Sequence, residues 1–121
     1  MLDKPRYLEK IDELERVTVV RLKGNIDQQM IPIIEERIQH NRKKGSTINK
    51  NVLVDYKLVK KVDSATIAFH LVRLKEYQEK GFRIGFMNLS YELKVYLNMF
   101  GLCEAFKIYA DEEQAINELN Q

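Results

Sequence analysis

The chain has 121 residues, 45% hydrophobic and 31% charged, enough for one domain spanning 1–121 with a core that needs no cross-links. Its net charge of +2 is too slight to argue for nucleic acid, and no stretch has the composition of a disordered tail. The single cysteine, Cys103, excludes an internal disulfide framework, and no apolar run approaches the ~18 residues of a membrane span.

Met1-Leu2-Asp3-Lys4-Pro5 carries charge and proline where a secretion leader has its apolar stretch, so the expected location is the cytoplasm. Leu8, Ile11 and Leu14 mark a short first strand within Tyr7 to Leu14. Val17 to Leu22 is β-branched and predicts a second strand, with Glu15-Arg16 as a hairpin turn that makes the first pair antiparallel. Lys23-Gly24-Asn25-Ile26-Asp27 reads as turn chemistry leading to a helix cap. Met30, Ile31, Ile34 and Ile38 recur at helical spacing up to about Lys43, and Gly45 stops that helix.

Val52-Leu53-Val54 is continuously apolar, as expected of a central parallel strand covered by helices. A loop then leads to Asp63, which caps a helix from Ser64 to about Glu79 with Ile67, Ala68, Leu71, Val72 and Leu74 inward. Gly81 ends it. Arg83 to Met87 is the fourth strand, Tyr91 to Phe100 the third helix, Ala105 to Tyr109 the last strand, and Asp111 caps a final helix through Leu119. Alternating strands and helices on short connections imply an α/β fold with a largely parallel sheet and right-handed crossovers.

In order and spacing the chain resembles the STAS domain, the fold of bacterial anti-sigma factor antagonists and of the soluble tails of sulfate transporters. Gly24-Asn25-Ile26-Asp27 is similar to the family's turn into its first helix, and Val52-Leu53-Val54-Asp55 to its central strand. Val62-Asp63-Ser64-Ala65-Thr66 is similar to its Asp-Ser-Ser-Gly signature, and Gly101-Leu102 and Glu113-Gln114-Ala115 to its closing pattern. The resemblance implies a sheet of about five strands with an antiparallel N-terminal strand. About four helices would wind mainly on one side as a βα superhelix. It also implies a non-catalytic, cofactor-free module that docks a protein partner, an anti-sigma factor with serine-kinase character or a transporter ATPase.

In the anti-sigma antagonists the second serine of the signature is phosphorylated, which releases the partner. Here Ala65 stands at that position and Thr66 where glycine is usual. A phosphate would add about −1.5 to −2 charge, and this chain cannot receive it at the usual atom. Ser64 and Thr66 remain as displaced acceptors, but neighbouring helical residues point about a hundred degrees apart, so a lost switch is the preferred reading.

The resemblance places Asp27, Asp63, Ser64, Ala65 and Thr66 together on a partner-facing end, although Asp63 also serves as an ordinary cap. Lys57, Lys60 and Lys61 read as a solvated loop. In the third helix Leu93, Tyr96, Leu97 and Phe100 form one apolar stripe, and Tyr91, Val95 and Met99 a second. One sheet face needs one stripe, so the second is either covered by a neighbouring helix or open to a partner or a second copy. Enzyme signatures are absent, and His40 and His70 have no cysteine or carboxylate cluster at metal-ligand spacing.

Overall fold

The computed structural model describes residues 8–30, 32, 33, 36, 50–102 and 104–120. Five strands form one sheet in sequential order: β1 (Leu8–Glu13), β2 (Val17–Ile26), β3 (Asn51–Val62), β4 (Ile84–Met87) and β5 (Lys107–Tyr109). β1 runs antiparallel to β2, closed by the Leu14 N–H on the Val17 carbonyl at 2.9 Å, and the other pairs are parallel. Three helices are described: α1 (Ser64–Glu79), α2 (Tyr91–Met99) and α3 (Glu112–Leu119). The expected helix from Met30 to Lys43 lies largely outside the described residues, as do His40 and Cys103. A 3₁₀ turn, Gln28–Met30, stands at its entrance.

Each helix starts on the acceptor its sequence supplies. Asp63, Ser90 and Asp111 take the backbone N–H groups of Thr66, Leu93 and Gln114. α1 and α2 stop where Gly81 and Gly101 turn left-handed, at φ 83° and 68°. The Phe82 and Leu102 N–H groups then close back on the Tyr77 and Leu97 carbonyls at 2.8 Å.

α1 and α2 cover one sheet face. Beneath them lie Val20, Leu22, Val52, Val54, Tyr56, Ile84, Phe86 and Phe106, all buried. α3 covers the other face, where Val17, Val19, Leu53, Met87 and Tyr109 meet Ala115 and Leu119. The helices thus lie mainly, not wholly, on one side.

Several expectations change. The loop after Val54 is strand: β3 continues to Val62, pairing Leu58, Val59, Lys61 and Val62 with Lys23, Gly24, Asn25 and Ile26. The supposed turn at Lys23–Ile26 is correspondingly the outer half of β2. Two register shifts explain the deception. Each inserts a residue into β3, so apolar alternation breaks and Lys57, Leu58, Lys60 and Lys61 all face solvent. On α1 the inward stripe is Thr66, Ile67, Leu74 and Tyr77, with Leu71 partly buried against it. Ala68 and Val72 sit about a hundred degrees round the helix and are exposed. On α2, Phe100 was expected inward, but it is the C-cap and is 61% exposed, its ring 4.7 Å from that of Tyr96. Arg83 precedes β4, and Ala105 and Phe106 precede β5.

Candidate functional site

Parallel pairing of β2 with β3 brings two strand-to-helix junctions side by side. Ile26 pairs with Val62, and the N–H of the next residue, Asp63, bonds the Ile26 carbonyl at 3.2 Å. Asp27 and Asp63 therefore leave the sheet from adjacent strand ends. Both make local turns by the same chemistry. Asp27 Oδ1 accepts the Gln29 N–H at 2.9 Å, and Asp63 Oδ1 accepts the Thr66 N–H at 2.8 Å.

Exposure separates the five signature positions. Asp63 and Ser64 are exposed, Asp27 and Ala65 half-buried, and Thr66 fully buried. The Thr66 hydroxyl also donates to Asp63 Oδ1, so two hydrogen bonds from one residue hold the cap. Thr66 was expected on the surface beside Ala65. Its burial follows from its place at the start of the stripe that α1 turns toward the sheet. The surface carries both signs, because exposed Lys60 and Lys61 immediately precede the Asp63 junction.

The second expected surface is open: Tyr91, Val95 and Met99 are 81%, 37% and 75% exposed. Leu93 and Leu97, on the other side of α2, are buried. Among the described residues no group of three His, Cys, Asp or Glu side chains is placed to hold a metal, and no helix is long and apolar enough to cross a membrane.

Sequence reasoning missed a charged cluster midway along the same strands, on the face that α3 covers. Arg21 and Asp55 are cross-strand neighbours. Arg21 donates through Nε to Asp12 at 2.9 Å, and through Nη1 to Asp55 at 3.0 Å and Glu112 at 2.8 Å. The other oxygen of Asp55 takes the Lys57 N–H and the Asn88 side-chain amide, both at 2.9 Å. Its side chain is only 8% exposed, so every lone pair used this way offsets desolvation. The Glu112 bonds, against the cost of burial and with help from Asp12 and Asp55, raise the Arg21 pKa further above its ordinary value. Burial opposes ionisation of Asp12, but Arg21 and Lys10 outweigh it and hold its carboxyl below the ordinary range. The sequence signal was an arginine between Val20 and Leu22 and an aspartate after three apolar residues.

His70 is partly buried at the edge of the core, its ring against Phe86 and Phe106 and its Nε2 hydrogen-bonded to the Tyr56 hydroxyl. Burial pushes its pKa down to about 4 and raises that of Tyr56.

The STAS domain pattern matches residues 10–115. A putative anti-sigma factor antagonist from Thermotoga maritima superposes with a TM-score of 0.78 at 14% identity, covering 93% of this chain and 94% of that one. The anti-sigma factor antagonist SpoIIAA, in its unphosphorylated form, gives 0.71 at 20% identity over 92% of this chain and 95% of that one. A murine anion transporter, Solute Carrier 26 family member A9, gives 0.70 at 14% identity, over 90% of this chain but 18% of that one. No curated protein matches the sequence closely enough to count as a relative. With the pattern covering most of the chain and the fold shared with anti-sigma factor antagonists, the protein belongs to the STAS domain family.

Proposed function

We propose that this chain is a non-catalytic regulatory module of the anti-sigma factor antagonist type, acting in the cytoplasm. It docks a protein partner with the surface formed by Asp27, Asp63, Ser64 and Ala65, and it carries no phosphorylation switch at Ala65. The observation that carries this reading is the place of Ala65. It lies at the solvent-reaching start of α1, between an exposed serine and a buried threonine, where two strand ends meet. The burial of Thr66 and the engagement of its hydroxyl by Asp63 support a lost switch over one moved by a residue. Ser64 keeps an exposed side chain and is the remaining acceptor.

The likeness to a segment of an anion transporter favours a second reading. The chain would be the STAS subunit of an ABC-type lipid transporter assembly, or of a multi-STAS scaffold, and hold a transporter ATPase or neighbouring module permanently through the same surface.

Calorimetry with a captured partner tests the docking surface. Ala65→Asp is expected to leave the fold intact, since a helix start tolerates an acid. It should weaken binding by at least about 1 kcal/mol through repulsion or lost fit. Unchanged affinity, together with loss in a variant elsewhere, would move the docking site off this loop. Incubation with an anti-sigma kinase and ATP should leave residues 64–66 unmodified, and stoichiometric phosphate on Ser64 or Thr66 would overturn the lost-switch reading.

A further inference from the structure

Four of the eight exposed large apolar side chains among the described residues lie on one short helix and its C-cap. α2 and its C-cap carry Tyr91 at 81%, Val95 at 37%, Met99 at 75% and Phe100 at 61% exposure. Tyr91, Val95 and Met99 are spaced four residues apart, so they form one ridge along the helix about 12 Å long. We propose that this ridge is the contact of a two-fold symmetric homodimer in which α2 crosses its own copy antiparallel, with the axis at Val95.

The ridge is self-complementary. Tyr91 and Met99 stand equally far from Val95, on opposite sides. Turning one copy by a half-rotation about Val95 lays each Tyr91 on the other copy's Met99 and sets Val95 against Val95. An aromatic ring beside a thioether is a favourable contact, and the flexible methionine fills irregular gaps. A two-fold contact needs one patch that matches itself, which this spacing supplies.

The area suits a small, reversible contact. The exposed parts of the three ridge side chains amount to about 300 Å² of apolar surface per copy. A standard interface buries about 800 Å² per partner, and about 65% of that is apolar in homodimers, which is roughly 500 Å². The ridge thus supplies more than half of that apolar centre, which fits a reversible dimer. Glu92 and Lys94, both exposed on the same helix, give the rim one charge of each sign. The net charge of +2 per chain sets up little repulsion between copies. This inference does not depend on the role proposed for Ala65.

Sedimentation equilibrium from low to hundreds of micromolar decides it. The wild-type mass should rise from 14.3 kDa toward twice that value. Val95→Glu places two carboxylates face to face on the axis and should raise the dissociation constant at least about tenfold, with the circular dichroism spectrum unchanged. Met99→Lys is the second variant, since a side chain 75% exposed does not hold the fold together, and it should give the same loss. In a Cys103→Ser background, Val95→Cys should form a disulfide-linked dimer on mild oxidation, while Val72→Cys, on α1, should not. A chain that stays monomeric throughout overturns the proposal, even if the ridge then proves to bind another protein. So does a dimer that survives both substitutions.

Discussion

On one face of the sheet, apolar packing runs nearly the full length of the strands. Val20, Leu22, Val52, Val54 and Phe86 lie under α1 and α2, and Tyr56 and Ile26 continue the cover toward the strand ends. On the other face, packing stops halfway. Val17, Val19, Leu53 and Met87 are covered by the short α3, and one step further along the strands stand Arg21 and Asp55. Where the helix no longer covers the sheet, a hydrogen-bonded charge cluster closes it instead. The first device is non-directional and follows from area alone. The second works only if each donor meets its acceptor.

The contrast should be plainest in the size of truncation effects. Phe86 is 1% exposed and packs its ring 4.8 Å from Phe106 and 5.1 Å from His70. Phe86→Ala is expected to lower stability by about 3–5 kcal/mol in urea unfolding. Leu119→Ala, on the face that α3 covers, should cost less, about 2–3 kcal/mol, because fewer elements surround that cavity. Equal losses would mean that the two faces are equally well packed.

Acid should act first on the broader face. His70 titrates near 4 when folded and near 6.5 when unfolded, so the unfolded chain binds the extra proton between those values. Stability is therefore full above about pH 6.5 and falls as pH drops toward 4, by about 2–3 kcal/mol from this group. His70→Gln should flatten that limb of a stability–pH curve, whatever it does to stability at neutral pH. Asp12 acts lower. Its contribution is present above the ordinary carboxylate value of 3.8 and is lost as pH falls through its depressed folded value. A limb unchanged in His70→Gln would place the titrating group elsewhere.

The smallest effect belongs to the charge cluster. Arg21→Ala leaves Asp55 buried but still bonded to Lys57 and Asn88, so a loss of about 2 kcal/mol is expected. In an Asp55→Asn background the same substitution should cost less, since the two groups share one interaction. Strict additivity in that double-mutant cycle would show that Arg21 and Asp55 are not coupled.

What was legible in the sequence were features with local causes. α1 runs from Ser64 to Glu79 as its pattern and its Asp63 cap predict, and Gly81 and Gly101 stop their helices where expected. The antiparallel first pair and the parallel remainder of the sheet also emerge as expected. What stayed hidden depends on register. No local signal says that Arg21 sits opposite Asp55, because that follows from how two distant strands align. The outer half of β3 was hidden for a related reason. Lysines and a glycine at φ 72° on the neighbouring strand imitate a loop, and bulges erase the alternation that would reveal the strand. At the candidate site, adjacency of Asp27 and Asp63 was foreseeable from parallel topology. The burial of Thr66 was not, since it depends on which way α1 rolls against the sheet.

The last turn of α3 is held from outside its own helix. Arg16 donates to the Asn120 carbonyl, Arg83 to that of Glu118, and the Asn51 amide to that of Leu119. All three donors lie at or just before the beginnings of strands, and all precede α3 in the chain. α3 therefore finds its bonding partners only once β2, β3 and β4 have aligned their beginnings, and a folding chain that lacks it leaves Val17, Val19, Leu53 and Met87 uncovered. Bare β-surface of that kind is what makes a partly folded chain prone to aggregate.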